Sequence, residues 1–384
     1  MNVKFSTKFV AASAAAVMAL SLAGCSGGSM DDSSSSSAKA SGDSITIGTV
    51  TTNSGTAAAY GEAEVKGFEL AVSEINAKGG INGKKVKLES MDDKGDATEA
   101  SNAYNKLAGD NNVLAVAGPT ISATTAAVAP LADQSKLVTI APAATSDSIE
   151  TGNYLFRTCF KDSYQGEVAA RFAAENLKVK KVAVLYGTGD PYSSGVGKAF
   201  VNAAKKAGLE VVAEENSSSA DDTEYSSQLQ KVQAAGAEFL YAPYYYSAAG
   251  PYIIPQARSI GYNGYIMGPD GYDGLQITGS KARYNKVLYT THYSPDDTSN
   301  KKVQKFITSY KKANNGATPT TFTALGYDSV YMFKQAIEKA GANASRADIR
   351  KAIYGMSFSG VTGEFTLDSQ GSPKKSVIVL EMKN

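Results

Sequence analysis

Apolar and polar positions alternate along most of this chain in two rhythms, one of buried strands and one of helices. Val113 to Ala117 is a run of small or apolar residues without a charge, the pattern of a strand covered on both faces. It stops at Gly118-Pro119, and the short loop Thr120-Ile121-Ser122-Ala123 leads into a helical stretch. There Ser122 or Thr124 is a candidate N-cap, and Val128 and Leu131 give an apolar side down to Asp133. Leu137 to Ile140 reads as a second buried strand ending in Pro142-Ala143-Ala144-Thr145. In a parallel sheet both loops lie at the carboxyl edge of the strands, where open α/β sheets bind ligands. They offer a serine hydroxyl, a threonine hydroxyl and unpaired N–H groups at a helix start, and the alanines let a ligand approach the backbone. This chemistry suits a small anion or zwitterion, not catalysis.

The same alternation runs on both sides of that stretch. Ile45, Ile47 and Val50 mark a first strand, and after the loop Thr51 to Ala59 a helix follows with its stripe at Val65, Phe68, Val72 and Ile75. Gly79-Gly80 stops it, Val86 and Leu88 alternate in the next strand, and Asp96 with Glu99 resembles a capping box for the helix through Leu107. From about Ser163 a second series begins. Its helices carry Val168 and Phe172, then Val196, Phe200 and Val201, then Tyr225, Leu229 and Val232. Its strands are Val182 to Tyr186, Val211-Val212, Phe239 to Tyr241 and Ile266-Met267, the last ending at Gly268-Pro269-Asp270-Gly271. Lys301 to Ala340 reads as helical, and Gly363 to Phe365 and Ser376 to Met382 as strands. Two successive α/β series predict two similar lobes facing one another, each a parallel sheet covered on both faces.

Composition narrows the chemistry. A chain of 384 residues exceeds one ordinary core, and 38 basic against 37 acidic residues give no argument for nucleic acid. One histidine, His292, and two cysteines, Cys25 and Cys159, leave no metal-ligand spacing, so no metal or cofactor is expected. The 22 tyrosines pair an apolar face with a hydroxyl, useful in a partly wet cleft or simply as surface cover.

Residues 1–25 read as a targeting segment outside the fold. Lys4 and Lys8 precede the apolar run Phe9 to Leu22, which is shorter than the roughly 20 residues of a membrane span. Leu22-Ala23-Gly24-Cys25 resembles the bacterial lipoprotein processing site, in which the cysteine becomes the lipid-bearing N-terminus; ordinary secretory cleavage after Ala23 or Gly24 is the alternative. With Cys25 lipidated, Cys159 is expected as a buried free thiol. Residues 26–43 are Ser- and Gly-rich and predict a flexible tether with a reach on the order of 25 Å.

Several phrases then coincide in order: Tyr60-Gly61, Glu74-Ile75-Asn76-Ala77-Lys78-Gly79-Gly80-Ile81-Asn82-Gly83, Asp92-Asp93, Pro142-Ala143-Ala144-Thr145, Gln256-Ala257-Arg258 and Met267-Gly268-Pro269-Asp270-Gly271. Together they resemble the branched-chain amino-acid binding proteins that feed ABC importers, and the resemblance spans Ile45 to the C-terminus. It implies an α/β periplasmic-binding-protein fold of type I: two doubly wound lobes around a cleft, joined by three hinge crossovers. The expected lobes are 44–163 with 294–367, and 164–293 with 368–384. Carried over by position, the resemblance implies that Ser122 and Thr145 hold the α-carboxylate and α-ammonium of a ligand, with the backbone at Ala143 and Ala144 completing the clamp. Tyr60 would lie beside the side-chain pocket, Tyr192 and one of Tyr245 or Tyr246 would close from the other lobe, and Asp270 would receive the ammonium. Asp270 stands where the family often has the longer Glu.

Read without the resemblance, Ser122 is a plain N-cap, Asp270 a turn residue, His292 structural and Asp328 a brace for an inner helix. The functional expectation is an extracytoplasmic, lipid-anchored, monomeric receptor that binds a small amino acid, by the resemblance a branched-chain one, and presents it to an ABC permease. The alternatives are a receptor for another small solute or a ligand-sensing component. An enzyme would need a nucleophile beside a base, or a metal set, and the sequence supplies neither.

Overall fold

The computed structural model describes residues 3–5, 44–149 and 151–382. After a short strand β1 (Val3–Phe5), the first series comprises β2 (Ser44–Thr51), α1 (Ala58–Ala77), β3 (Lys85–Asp92), α2 (Ala97–Gly109), β4 (Val113–Ala117), α3 (Ser122–Ser135), β5 (Val138–Ala141) and β6 (Leu155–Arg157). Its strands form a five-stranded, all-parallel sheet in the order β3-β2-β4-β5-β6.

The second series comprises α4 (Asp162–Glu175), β7 (Lys181–Gly187), α5 (Pro191–Lys206), β8 (Glu210–Ser217), α6 (Ser226–Ala234), β9 (Phe239–Tyr241), α7 (Tyr246–Ala248), α8 (Ile254–Ser259), β10 (Tyr265–Gly268) and β11 (Val287–Thr291). The chain then returns to the first lobe for α9 (Lys301–Ala313), α10 (Thr321–Ala340), α11 (Arg346–Ile353) and the hairpin β12 (Ser357–Gly360) and β13 (Gly363–Thr366). It ends in the second sheet as β14 (Val377–Glu381), antiparallel to β11. The second sheet runs β1-β14-β11-β10-β9-β7-β8. Strand β1 falls inside the segment read as a leader.

The chain therefore passes between the two sheets three times: after β6, after β11 and before β14. One face of the first sheet packs on α2 and α3 through Val50, Tyr104, Leu107, Val116 and Val128. The other packs on α1, α10 and α11 through Ile47, Phe68, Val330, Phe333 and Ile349. In both lobes a sheet buried on two faces explains strands that read as continuous apolar runs.

The buried face of α1 is Tyr60, Glu64, Gly67, Phe68, Ala71 and Ile75, rotated from the expected stripe, and Val65 and Val72 are only half-buried. Helix α10 causes the rotation by packing directly on α1. A Cβ at Gly67 would lie 2.2 Å from the Thr323 carbonyl oxygen, so the two helices approach backbone to backbone there.

Other differences from the sequence reading are local. Lys301 to Ala340 is two helices, because the chain turns at Asn314 to Thr320. Strands β6 and β11 and helix α11 were not anticipated; β6 has only three residues, and one is a buried arginine. Asp96 does cap α2, accepting from Thr98 and Glu99 N–H, while its own N–H goes to the Asp93 carbonyl. Asp328 braces a hairpin instead of a helix: its carboxylate accepts from the N–H groups of Val361 and Thr362 and from the Thr362 hydroxyl. Cys159 is a free, fully buried thiol, and burial pushes its pKa up to about 12.

Candidate ligand-binding site

At the carboxyl edge of the first sheet, β4 ends in Gly118, whose φ is +117° and where a Cβ would lie 1.9 Å from the Val50 carbonyl oxygen. Only glycine fits, and the turn it makes aims the next residues at the cleft. The N-cap of α3 is Ile121, not Ser122 or Thr124 as the sequence suggested. Thr124 and Thr125 return their hydroxyls to the Ile121 carbonyl, at 3.2 and 2.8 Å. This frees Ser122 for a longer-range partner: its Oγ accepts the Ser146 N–H at 3.2 Å, tying the loop after β4 to the loop after β5. The next residue back, Thr145, is fully buried, and its hydroxyl is set against the buried Asp162 carboxyl.

From the second lobe, the turn after β10 presents Asp270. Its Oδ1 accepts from the Tyr192 hydroxyl at 2.8 Å and from Gln165 Nε2 at 3.3 Å. Its Oδ2 lies 3.3 Å from His292 Nε2. Burial pulls the His292 pKa down to about 4, against the opposing effect of Asp270. The imidazole is neutral at pH 7, so it supplies a hydrogen bond to Asp270 without cancelling its charge. Phe160 stacks on that ring with centroids 3.6 Å apart.

Between these groups lies a cavity lined by Tyr60, Thr120, Ile121, Ser122, Ala143, Tyr192, Tyr245, Asp270, Gly271 and Phe322. Its cavity volume is about 20 Å³, room for about one water molecule, so the two lobes stand closed on each other. Burial pushes the phenols of Tyr60, Tyr192 and Tyr245 well above their usual range, so they remain neutral donors. Tyr192 stacks on Tyr245 at 5.2 Å and Tyr60 on Phe322 at 4.1 Å, giving the cavity aromatic walls from both lobes.

Six of the residues singled out from the sequence thus share one cavity: Ser122, Ala143, Tyr60, Tyr192, Tyr245 and Asp270. Of Tyr245 and Tyr246, Tyr245 lines the cavity, and Tyr246 packs edge-on against Tyr60 at 4.9 Å. Ala144 departs from expectation. Its carbonyl is taken by Arg157 Nη1 at 3.0 Å and Cys159 Sγ at 3.3 Å, because a buried guanidinium must find acceptors. Ala144 and Thr145 are not among the lining residues. Sequence reasoning missed Thr120, Ile121, Gly271 and Phe322 in the lining and gave His292 no part in the site. Phe322 lies on α10, more than 250 residues after Tyr60 in the chain, with no local signal to connect them.

The family model for the periplasmic binding proteins matches residues 44–384. The Leu/Ile/Val-binding protein homolog 3 of Brucella melitensis biotype 1 is 32% identical over 315 residues, covering 81% of this chain and 83% of that protein. Among solved structures, the branched-chain amino acid transporter substrate binding protein LivJ from Streptococcus pneumoniae, in complex with isoleucine, is 32% identical with a TM-score of 0.81 over 88% of this chain and 96% of that one. The leucine binding protein LivK from Thermotoga maritima matches with the same identity, score and coverage. A match over the whole described fold, with relatives of this identity, settles the assignment: the chain belongs to the periplasmic binding protein family.

Proposed function

We propose that this chain is the extracytoplasmic substrate-binding component of an ABC importer, that it closes on a branched-chain amino acid, and that it delivers this ligand to a membrane permease. The observation that carries the reading is the distribution of polar groups around the cavity. One lobe contributes Ser122 at the start of α3; the other contributes the Asp270 carboxylate. Opposite charges of one zwitterion match opposite walls: the α-carboxylate at Ser122 and the helix start, the α-ammonium at Asp270. Aromatic walls suit an aliphatic side chain between them. The isoleucine bound by the pneumococcal relative supports this class of ligand.

In this reading 44–163 with 294–367 and 164–293 with 368–384 move as two bodies about the three crossings, and ligand contacts to both favour the closed state. No step is catalytic. Cys25 carries the lipid and 26–43 the tether; both lie outside the described residues. Among the described residues no helix is long and apolar enough to cross a membrane. The receptor works as a monomer.

A thermal-shift panel of amino acids tests the reading. A ligand present at about 100 Kd adds roughly 2.7 kcal/mol of stability, so leucine, isoleucine or valine should raise the melting temperature while charged amino acids leave it in place. No response to any of the three rejects the assignment.

A further inference from the structure

Gln165 lies on α4 one helical turn after Asp162, fully buried, and does not itself line the cavity. Its amide uses every hydrogen-bonding position it has. Nε2 donates to Asp162 Oδ1 at 2.9 Å and to Asp270 Oδ1 at 3.3 Å. Oε1 accepts the Asp270 N–H at 3.2 Å and the Thr290 hydroxyl at 2.9 Å. These partners fix the orientation of the amide. Turned over, it would set its oxygen against two carboxyl groups and its hydrogens against the Asp270 N–H.

Three side chains hold the Asp270 carboxyl, and Gln165 is the one that also holds the Asp270 backbone. The same amide ties Asp270 to the other lobe. Asp162 opens α4 just past the first crossing, and its N–H donates to the Thr145 carbonyl at 3.0 Å. Its carboxyl meets the Thr145 hydroxyl, and burial pushes it well above the usual carboxylate range. It therefore stands as a neutral acid beside Asp270. Thr145, Asp162, Gln165 and Asp270 form one hydrogen-bonded series, starting next to the Ser146 N–H that holds Ser122.

We propose that Gln165 is a positioning residue of the ligand site, which holds the Asp270 carboxylate in one orientation, in register with the loop after β5, and so sets how tightly the cavity takes a ligand ammonium. This rests on the amino-acid reading above. A carboxylate already held in place loses no further rotamer freedom when the ligand arrives, and its charged hydrogen bond depends on direction.

Calorimetry with L-leucine on the wild type, Gln165→Met, Asp270→Asn and the double variant tests it, together with a crystal structure of Gln165→Met. Methionine fills the space of the glutamine without its hydrogen bonds. Gln165→Met weakens leucine binding roughly tenfold in the wild-type background and changes it little in Asp270→Asn, because the two residues act as one unit. In the crystal the Asp270 carboxylate turns away from its place between Tyr192 and His292. A carboxylate that keeps that place, unchanged leucine affinity, or a loss of the same size in both backgrounds overturns the proposal, the last because it marks a merely structural role. If Asp270→Asn abolishes binding, the crystal structure decides alone. If Gln165→Met does not fold, Thr290→Val, which removes one partner of the amide, carries the same test with a loss of about threefold. A wild type that binds none of leucine, isoleucine and valine rejects the amino-acid reading itself; one that binds them while Gln165→Met matches it overturns this inference alone.

Discussion

Tyr60 on α1 of one lobe donates its phenolic hydrogen to the Gly271 carbonyl of the other at 2.5 Å. The same oxygen accepts the Tyr246 N–H at 2.9 Å, so one hydroxyl holds two backbone groups of the opposite lobe. Tyr60→Phe keeps the stacking on Phe322 but leaves both groups without a partner. Ligand affinity should fall by about 1–3 kcal/mol, and small-angle scattering should show a larger population of open molecules. Unchanged affinity would mean that the clasp forms without contributing to closure.

In the proposed function Asp270 is the charge that meets the ligand ammonium. Asp270→Asn keeps an acceptor for Tyr192 and removes the charge, a cleaner change than alanine. Amino-acid binding should weaken by roughly 2–5 kcal/mol, with a much smaller effect on the melting temperature of the free protein. Calorimetry that finds wild-type affinity rules out the assignment.

Stability should also depend on pH through Asp273. Its Oδ2 accepts from Thr291 Oγ1 at 2.8 Å and, across the lobe boundary, from the Thr321 N–H at 3.2 Å. Burial raises its pKa to about 6, with Asp270 adding to the rise. Between the unfolded value of about 4 and that value, the folded state holds a proton that the unfolded state has released. Stability therefore declines as pH rises through this window. Asp273 is only part-buried, so solvent screens some of the effect and the slope should be shallow. Asp273→Asn should flatten the melting-temperature profile between about pH 4 and 6; a profile identical to wild type would remove Asp273 from the account.

Lys375 works with the opposite sign. Its ammonium, almost fully buried near two of the crossings, donates to the Thr158 carbonyl at 3.0 Å and Thr362 Oγ1 at 2.7 Å. Burial lowers its pKa to about 8, against the attraction of Asp328. From there to about 10.4 the unfolded state binds the extra proton, so this residue makes the fold gain stability as pH rises, on the order of 3 kcal/mol in total. Denaturant titrations of wild type and Lys375→Met should diverge over that range. Parallel curves would show that the lysine is not desolvated.

Replacing Cys25 by Ser should move the protein from the membrane fraction to the soluble one. Continued lipid labelling of that variant would show that the anchor lies elsewhere.

Much of this architecture was legible because it is locally encoded. Val113 to Ala117 is a strand with the bounds its apolar run implied, since residues covered on both faces carry no polar alternation. The loops after β4 and β5, expected at the carboxyl edge of the sheet, both contribute residues to the cavity lining. The cap of α3 was misread because several hydroxyl residues crowd one turn. Only the placement of Thr124 and Thr125 on the Ile121 carbonyl left Ser122 free to reach Ser146. The buried face of α1 was misread because its partner, α10, lies some 250 residues downstream.

His292 marks where local reading ends. Nothing near it in the chain indicates a ligand site, yet β10 and β11 pair in parallel, and the residues just beyond their ends, Asp270 and His292, meet. The sequence alone determined the α/β alternation, the two lobes and the chemical type of the residues at the strand ends, since hydrophobic period and turn chemistry act over a few neighbours. Which of those residues face each other was decided by the tertiary structure. Strand order and the three crossings bring together groups as far apart in the chain as Tyr60 and Gly271, and only that packing removes the water that would otherwise occupy their hydrogen bonds.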